Sequence, residues 1–325
     1  MAHGILIAGL LLILIGSEVT MRGAVGLARQ VNMQPLIAGI FVISVVTVLP
    51  EFFVVFRAAT MARYDIALGG LIGSNIINML FVMGLGALIH PMASPPKVVF
   101  RDGGMLLIGC AAMIAFAVVG GISRQAGAIL LLAFAAYVGL VIFTDWRRAP
   151  EHSVPLARAL YRFEGEMPSA TASFFLSVLG LIMLALGAHL TVLGAIHCTA
   201  ELGWSETAIG LAVVAAGLSA PKLLVTLISA ARRQTSIAVG QLLGAGVFGL
   251  FAVLGLAAVI HPIAFPAALA GADVYVLAGA ALALLPLLAM RWRLSRPRGI
   301  LLMIAYGCYV AFLLWRQGLP LPWGH

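Results

Sequence analysis

The chain has 325 residues, of which 63% are apolar and 9% are charged, and its mean hydropathy is +1.13. A soluble domain contains roughly 25% charged residues, so a soluble globule of this composition could not cover its surface. Long continuous apolar runs also exclude an outer-membrane β-barrel, whose strands alternate polar and apolar residues. The net charge of +8 does not indicate a nucleic-acid partner, because the Lys and Arg residues lie between apolar runs and form no single patch. The composition predicts an all-α, multi-pass protein whose partner is the lipid bilayer.

Ten apolar segments are each long enough to cross a membrane, for which about 20 residues suffice. We predict helices at 4–21, 34–60, 66–90, 102–120, 124–143, 171–195, 206–231, 236–260, 272–290 and 299–316. The first segment lacks the basic start of a signal peptide, so we interpret it as a spanning helix. A hydrophilic stretch at 144–170 divides the chain into a five-helix unit at 1–143 and another at 171–325.

Most basic residues fall in the odd-numbered connections between these helices. They are Arg22, Arg29, Lys97, Arg101, Arg147, Arg148, Arg158, Arg162, Arg232, Arg233, Arg291, Arg293, Arg296 and Arg298. By the positive-inside rule, the odd connections and the 144–170 linker are cytoplasmic, and both termini lie on the other side. We therefore predict a protein of the cell membrane, inner or plasma, with non-cytoplasmic termini.

An internal repeat relates the two halves at an offset of 171 residues without a gap. The matches include Gly16 with Gly187, Gly39 with Gly210, Pro50 with Pro221, Gly73 with Gly244, and Ile89-His90-Pro91 with Ile260-His261-Pro262. Because each half has an odd number of helices, the two halves enter the membrane from opposite sides. Inverted repeats with a binding site near the midplane are typical of secondary transporters.

Polar residues interrupt the second and third helices. Glu51 follows Pro50 within an apolar run, where an ionisable side chain is costly and usually functional. The alternative is a Glu that snorkels or pairs with a structural partner. On the next helix, Ser74 and Asn78 share one face, and their oxygens suit hard cations such as Na⁺ or Ca²⁺. The glycines around Ser74 also allow close helix packing, which is the purely structural interpretation.

These residues resemble the repeat signature of the calcium/cation antiporter superfamily, the sodium/calcium exchangers. That family's repeats typically read G-T-S-x-P-E on one helix and G-N-x-x-G-S-N-x-x-N on the next. The ten helices, outward termini and modest central loop resemble its prokaryotic members, so the resemblance covers essentially the whole chain. It implies a cation-binding and translocation set in the first half, consisting of Thr47, Glu51, Ser74, Asn75 and Asn78. Val48 and Gly70 stand where Ser and Asn are usual.

The second half departs further from this signature. Its second glutamate is replaced by Lys222, and Ala245, Gly246 and Gly249 replace polar residues. Ser219 and Gln241 remain as side chains that could take part in the site. We predict that Lys222 approaches Glu51 near the midplane, where an ammonium repels a divalent ion and can occupy the space of a cation. A lysine that snorkels to an interface is the alternative.

The sequence thus predicts a secondary cation antiporter of the sodium/calcium exchanger type with an altered ion site. Two alternatives remain: a monovalent cation or proton exchanger of the same fold, and a non-transporting membrane interaction or regulatory protein. No enzyme motif is present, and no cofactor is expected beside the transported ions, Na⁺, Ca²⁺ or H⁺. The sequence assigns no oligomeric state. Glu18 and its repeat mate His189 are secondary candidates without an assigned role.

Overall fold

The computed structural model describes residues 2–30, 44–93, 95–146 and 169–317, which are almost entirely helical. In chain order the helices are α1 (Ala2–Gln30), α2 (Ser44–Thr60), α3 (Tyr64–Ile89), α4 (Pro96–Val119), α5 (Arg124–Trp146), α6 (Ala170–Leu202), α7 (Glu206–Ala231), α8 (235–260), α9 (Ala272–Ala289) and α10 (Arg296–Arg316). Among the described residues, nine helices are long and apolar enough to span a membrane. The remaining one, α2, is described from Ser44 onward. The predicted ten-helix fold is confirmed.

The secondary structure repeats with the same offset of 171 residues as the sequence. α3 contains a π-helical segment at Ile77–Val82, and α8 contains one at Phe248–Val253. Such segments are rare and frequently occur at functional sites. Their matching positions support the inverted repeat independently of the sequence identities.

Four two-residue strands form two pairs that link the two halves of the chain. They are β1 (Met92–Ala93), β2 (Gly121–Ile122), β3 (Ile263–Ala264) and β4 (Arg293–Leu294). β1 pairs antiparallel with β4, and β2 pairs antiparallel with β3, so each pair joins one strand from each half.

Two buried aspartates near the start of α4 and α9 form a second symmetric contact. Asp102 accepts a hydrogen bond of 3.0 Å from the Tyr137 hydroxyl of α5. Asp273, its mate at the repeat offset, accepts one of 3.1 Å from the Tyr309 hydroxyl of α10 and one of 2.9 Å from Arg316. These carboxylates connect consecutive helices within each half.

α1 and α6 pack against each other through glycines spaced seven residues apart. The glycines are Gly9, Gly16 and Gly23 on α1, and Gly180, Gly187 and Gly194 on α6. A Cβ at Gly9 would lie 2.5 Å from the backbone nitrogen of Thr191, and one at Gly194 would lie 2.5 Å from that of Leu6. The two backbones are therefore as close as small residues permit.

Several predicted helix ends differ from the structure. α1 continues to Gln30 rather than ending at position 21, and α6 continues to Leu202 rather than 195. The predicted end at position 21 precedes Arg22, whereas the contact of α1 with α6 continues at Gly23, where a Cβ would lie 2.4 Å from the backbone nitrogen of Ser177. Predicted residues 34–43 of the second helix lie outside the described residues.

Candidate functional site

Glu51 of α2 and Lys222 of α7 form a buried ion pair between the two repeats. Lys222 Nζ donates to Glu51 Oε1, and each side chain is only 1% exposed. Each residue follows a proline inside its helix, Pro50 or Pro221. A proline removes one backbone hydrogen bond within the helix and leaves a carbonyl oxygen free nearby. Both helices are thus locally polar where the pair lies.

The two oxygens of the Glu51 carboxylate have different surroundings. Oε1 accepts from Lys222 and also from the Ser74 hydroxyl of α3, at 2.7 Å. Oε2 is buried without a hydrogen-bond partner. A buried acceptor that is left unsatisfied is costly and calls for an explanation in its surroundings.

Two glycines of α8 lie beside Glu51 and Asn75. A Cβ at Gly249 would lie 3.5 Å from Glu51 Oε2 and 3.6 Å from Asn75 Nδ2. A Cβ at Gly246 would lie 2.8 Å from Asn75 Oδ1. Because neither position carries a side chain, α8 can approach Glu51 and Asn75 closely. From the sequence alone these glycines are only replacements of polar residues, and their close packing against α2 and α3 becomes visible in the structure.

The other predicted site residues lie at varying distance from this pair. Ser219 Oγ donates a long hydrogen bond, 3.4 Å, to the backbone oxygen of Ser74. Thr47 is buried one turn before Glu51 on α2. Asn78 is buried with its Oδ1 unpartnered, and neither amide atom of Gln241 has a hydrogen-bond partner. The structure thus joins Glu51, Lys222, Ser74 and Ser219 by direct bonds.

Glu18 and His189 lie apart from the pair. Glu18 is 62% exposed and accepts from Arg22 at 2.9 Å. His189 Nδ1 accepts a hydrogen bond of 3.0 Å from Arg57 Nε, which links α6 to α2. These two residues serve local contacts in this structure.

The charge at the site is balanced by one group of each sign. Across the described ranges, no cluster of three or more His, Cys, Asp or Glu side chains could hold a metal ion. Glu51 and Lys222 together carry no net charge, and both are removed from solvent. Such an arrangement can accept a small cation only if another positive charge leaves or moves away.

Two further buried hydroxyls, which the sequence did not single out, lie near the site. Thr226 and Ser229 follow Lys222 on α7 by four and seven residues, so all three share one helix face. Both are fully buried, and their hydroxyl oxygens lack hydrogen-bond partners. The spacing was visible in the sequence, but it gains meaning only once these positions are known to be buried.

The chain resembles proteins of known family over almost its whole length. A family model described as "Sodium/calcium exchanger protein" matches residues 1–143 and 172–315. The putative antiporter CaxA of Alkalimonas amylolytica is 32% identical over 307 residues, covering 92% of this chain and 94% of CaxA. The inner membrane protein YrbG of Escherichia coli strain K12 is 32% identical over 269 residues, 81% of each chain.

A solved structure is similar as well. The sodium-calcium exchanger NCX_Mj, soaked with Na⁺ and Sr²⁺, superposes with a TM-score of 0.61 and 28% sequence identity. The match covers 95% of this chain and 97% of that one. Sequence and fold therefore agree on the same group of proteins.

Proposed function

This chain belongs to the sodium/calcium exchanger family, and the proteins similar to it include the putative antiporter CaxA and the sodium-calcium exchanger NCX_Mj. We propose that it exchanges small monovalent cations such as Na⁺ through one altered site. In this proposal Glu51 Oε2 binds the cation, with Asn75 beside it. Lys222 takes the place that a second cation would occupy. The gradient of one ion drives the other, and no cofactor takes part.

The observation that carries the proposal is that the two oxygens of the Glu51 carboxylate differ in their hydrogen bonding. Glu51 Oε1 is engaged by Lys222 and Ser74, whereas buried Oε2 is unpartnered and lies beside Gly249. A carboxylate oxygen is a preferred ligand of hard cations. Because the ammonium of Lys222 already balances Glu51, the free oxygen suits at most a monovalent cation, whose binding requires another positive charge to leave or move away.

The same geometry disfavours Ca²⁺. This ion prefers six to eight oxygen ligands and relies on carboxylates for charge compensation. Glu51 is the only acidic side chain at the described site, and Lys222 already neutralises it. Ca²⁺ would leave the buried site with an excess of positive charge. Charges of like sign inside a protein repel strongly because the effective dielectric constant is low.

Alternating exposure follows from the architecture. The site lies where α2, α3, α7 and α8 of two inverted repeats meet, which is the location of the ion site in many transporters of this design. Rocking one group of helices against the other would open the site to each membrane face in turn.

Isotope flux tests the proposal without assuming a counter-ion. Purified protein in proteoliposomes loaded with unlabelled Na⁺ is expected to take up ²²Na⁺ by self-exchange, and Glu51→Gln is expected to abolish this uptake. The same vesicles are expected to take up little ⁴⁵Ca²⁺. Absence of any ²²Na⁺ or ⁴²K⁺ exchange would refute the proposal and favour a non-transporting role, and Glu51-dependent ⁴⁵Ca²⁺ uptake would refute the monovalent assignment.

A further inference from the structure

The turn between α9 and β4 has an unusual backbone. Arg291 and Trp292 follow one another with φ angles of +60° and +51°. A positive φ is uncommon for residues other than glycine, and for a bulky side chain it is a genuine outlier. Arg298 holds this turn in place, because its Nη1 donates to the carbonyl oxygens of Met290 (2.8 Å) and Arg293 (3.0 Å). Strained residues persist only where such contacts fix them, and they cluster at functional sites.

The first repeat builds the equivalent turn with glycine. At the offset of 171 residues, Arg291 corresponds to Gly120, whose φ of +81° glycine adopts readily. Trp292 corresponds to Gly121. Both turns lead into a strand of a two-residue antiparallel pair, β2 in the first repeat and β4 in the second. The strand pairing therefore requires neither the arginine nor the tryptophan, and the strain at these two residues has another cause.

The side chains of this turn are exposed and lie beside a second aromatic ring. Arg291, Trp292 and Arg293 are all exposed. Within the described part of the chain, neither guanidinium group forms an ion pair or a side-chain hydrogen bond. The Trp292 ring packs edge-on against Phe100 of α4, with 5.5 Å between the ring centroids, and Phe100 is 70% exposed. These four residues form one surface, which we call the Arg291 patch.

Apolar helix surfaces lead up to the Arg291 patch. Beyond Phe100, α4 has one exposed apolar side, and α9 has another that ends at this turn. These sides include Ile108, Ala111 and Ala115 of α4 and Gly279, Leu282 and Pro286 of α9. Exposed apolar surfaces of membrane-spanning helices lie against acyl chains. A lipid whose chains lie along α4 and α9 therefore has its headgroup at the Arg291 patch.

The opposite membrane face lacks the equivalent of this patch. At the repeat offset, Phe100 corresponds to Gly271 and Arg293 to Ile122, in addition to the two glycines that replace Arg291 and Trp292. Because the repeats are inverted, these equivalent residues lie at the other end of the membrane span. The Arg291 patch is thus a feature of one membrane face and not a requirement of the fold.

The chemistry of the patch fits the headgroup of an anionic phospholipid. A guanidinium group binds a phosphate through two parallel hydrogen bonds and is always charged. Tryptophan rings are enriched at the level of the headgroups. A headgroup with a net negative charge is attracted by both arginines, whereas a zwitterionic headgroup carries a positive charge that they repel. A soluble anion would gain nothing from the apolar sides of α4 and α9.

We propose that the Arg291 patch binds one anionic phospholipid of the surrounding bilayer. Arg291 and Arg293 bind its phosphate, the rings of Trp292 and Phe100 lie beside the headgroup, and its acyl chains lie along α4 and α9. The bound lipid joins a helix of the first repeat to a helix of the second. This site includes no residue of the Glu51–Lys222 pair, so it is independent of which ion the protein exchanges.

Lipid selectivity is the first test. The purified protein is mixed in detergent with equal amounts of phosphatidylglycerol and phosphatidylcholine that have the same acyl chains, and native mass spectrometry measures the lipid retained. Each arginine near an anionic headgroup contributes about a fivefold gain in affinity, so phosphatidylglycerol should be preferred by roughly 25-fold. Equal retention of both lipids would overturn the proposal. Displacement of phosphatidylglycerol by millimolar inorganic phosphate at constant ionic strength would assign a soluble anion to the patch and overturn the lipid.

Single substitutions locate the site. Arg291→Gly introduces the glycine of the first repeat, so it should lower the preference for phosphatidylglycerol about fivefold without lowering the melting temperature. Arg293→Gln should lower the preference by a similar factor. Arg124→Gln removes the same charge from an exposed arginine at the start of α5, on the opposite membrane face. It should stay within about twofold of the wild type, since the distance exceeds the Debye length. Equal losses in Arg124→Gln and Arg291→Gly would reflect net charge alone and overturn the site.

Tryptophan quenching is the second test. Proteoliposomes of phosphatidylcholine receive a small fraction of a lipid that is brominated near the headgroup end of its chains, because bromine quenches tryptophan fluorescence on contact. Brominated phosphatidylglycerol should quench more than the same fraction of brominated phosphatidylcholine. This excess should vanish in Trp292→Phe and remain in Trp315→Phe, which changes an exposed tryptophan at the far end of α10. An excess that remains in Trp292→Phe would overturn the placement of the lipid. Neither test depends on ion transport, so this proposal and the proposed function can fail separately.

Discussion

Glu51 and Lys222 occupy the same position of two inverted repeats, 171 residues apart, yet they carry opposite charges and bind each other. A pseudo-twofold axis places equivalent residues side by side, so two identical glutamates there would repel unless cations lay between them. In this chain one repeat supplies the negative charge and the other supplies the positive one. The site is therefore balanced in charge without any bound ion.

Removing the ammonium should destabilise the protein in cation-free buffer. Lys222→Ala leaves Glu51 as an unpaired buried charge, and breaking such a pair costs about 3–5 kcal/mol. The melting temperature should drop accordingly and recover when Na⁺ is added. The double variant Glu51→Gln/Lys222→Ala should lose less than the two single variants combined, because it leaves no orphaned charge. Strict additivity would mean that the two residues are not energetically coupled.

Restoring a second carboxylate should make the protein depend on cations. Lys222→Glu places two like charges together, and we expect it to be unstable in metal-free buffer. Na⁺ or Ca²⁺ should then stabilise it, since a ligand at 100 times its Kd adds about 2.7 kcal/mol to the native state. Thermal unfolding across an ion series measures this effect. Equal stabilisation of the wild type by Ca²⁺ would contradict the charge argument.

Filling the space beside Glu51 should weaken cation binding. In Gly249→Ala the new methyl group would lie 3.5 Å from Glu51 Oε2 and 3.0 Å from a Leu71 methyl, which must shift slightly. We expect the apparent Na⁺ affinity, measured by calorimetry, to fall about tenfold, or 1.4 kcal/mol.

Gly244→Ala is the matched control on the same helix. A Cβ at Gly244 meets nothing within 4 Å, and both substitutions favour the helix by roughly 0.5–1 kcal/mol. Similar Na⁺ affinities for the two variants would show that the cation does not occupy the space beside Gly249.

The Asp273 contact should contribute to stability independently of the ion site. Tyr309→Phe removes one hydrogen bond to a buried carboxylate, and bonds to charged groups contribute about 1.5–3 kcal/mol. The melting temperature should fall at every Na⁺ concentration while Na⁺ affinity stays unchanged. Tyr306→Phe, on the same helix and packed against Phe81, should have little effect. A Na⁺-dependent loss would instead connect this contact to the transport cycle.

The fold was predictable because its signals are long and periodic. Ten apolar segments and an ungapped offset defined the helices and their inverted relation, and the same offset aligned Glu51 with Lys222. The ends of the helices were harder to predict. α1, for example, extends past Arg22, where its glycines pack against α6, and hydropathy does not measure such packing.

The hydrogen bonds within the site could not be predicted from the sequence. Nothing in the sequence indicates that Ser74 bonds to the same Glu51 oxygen as Lys222, since this depends on side-chain rotamers. The sequence also cannot distinguish a glycine that has merely replaced a ligand from one that lets two helices pack closely, as at Gly249. Local spacing gives the face of a helix, and only packing tells what that face meets.

The glycine contact between α1 and α6 fixes the distance between these two helices. Backbones in contact at Gly9, Gly16 and Gly23 cannot move closer, and sliding would drive Cβ atoms into the facing backbone. Spectroscopic labels at the exposed residues Leu11 and Leu186 should therefore keep one separation throughout the transport cycle. Any distance measured from either helix to the rest of the protein can be calibrated against that pair.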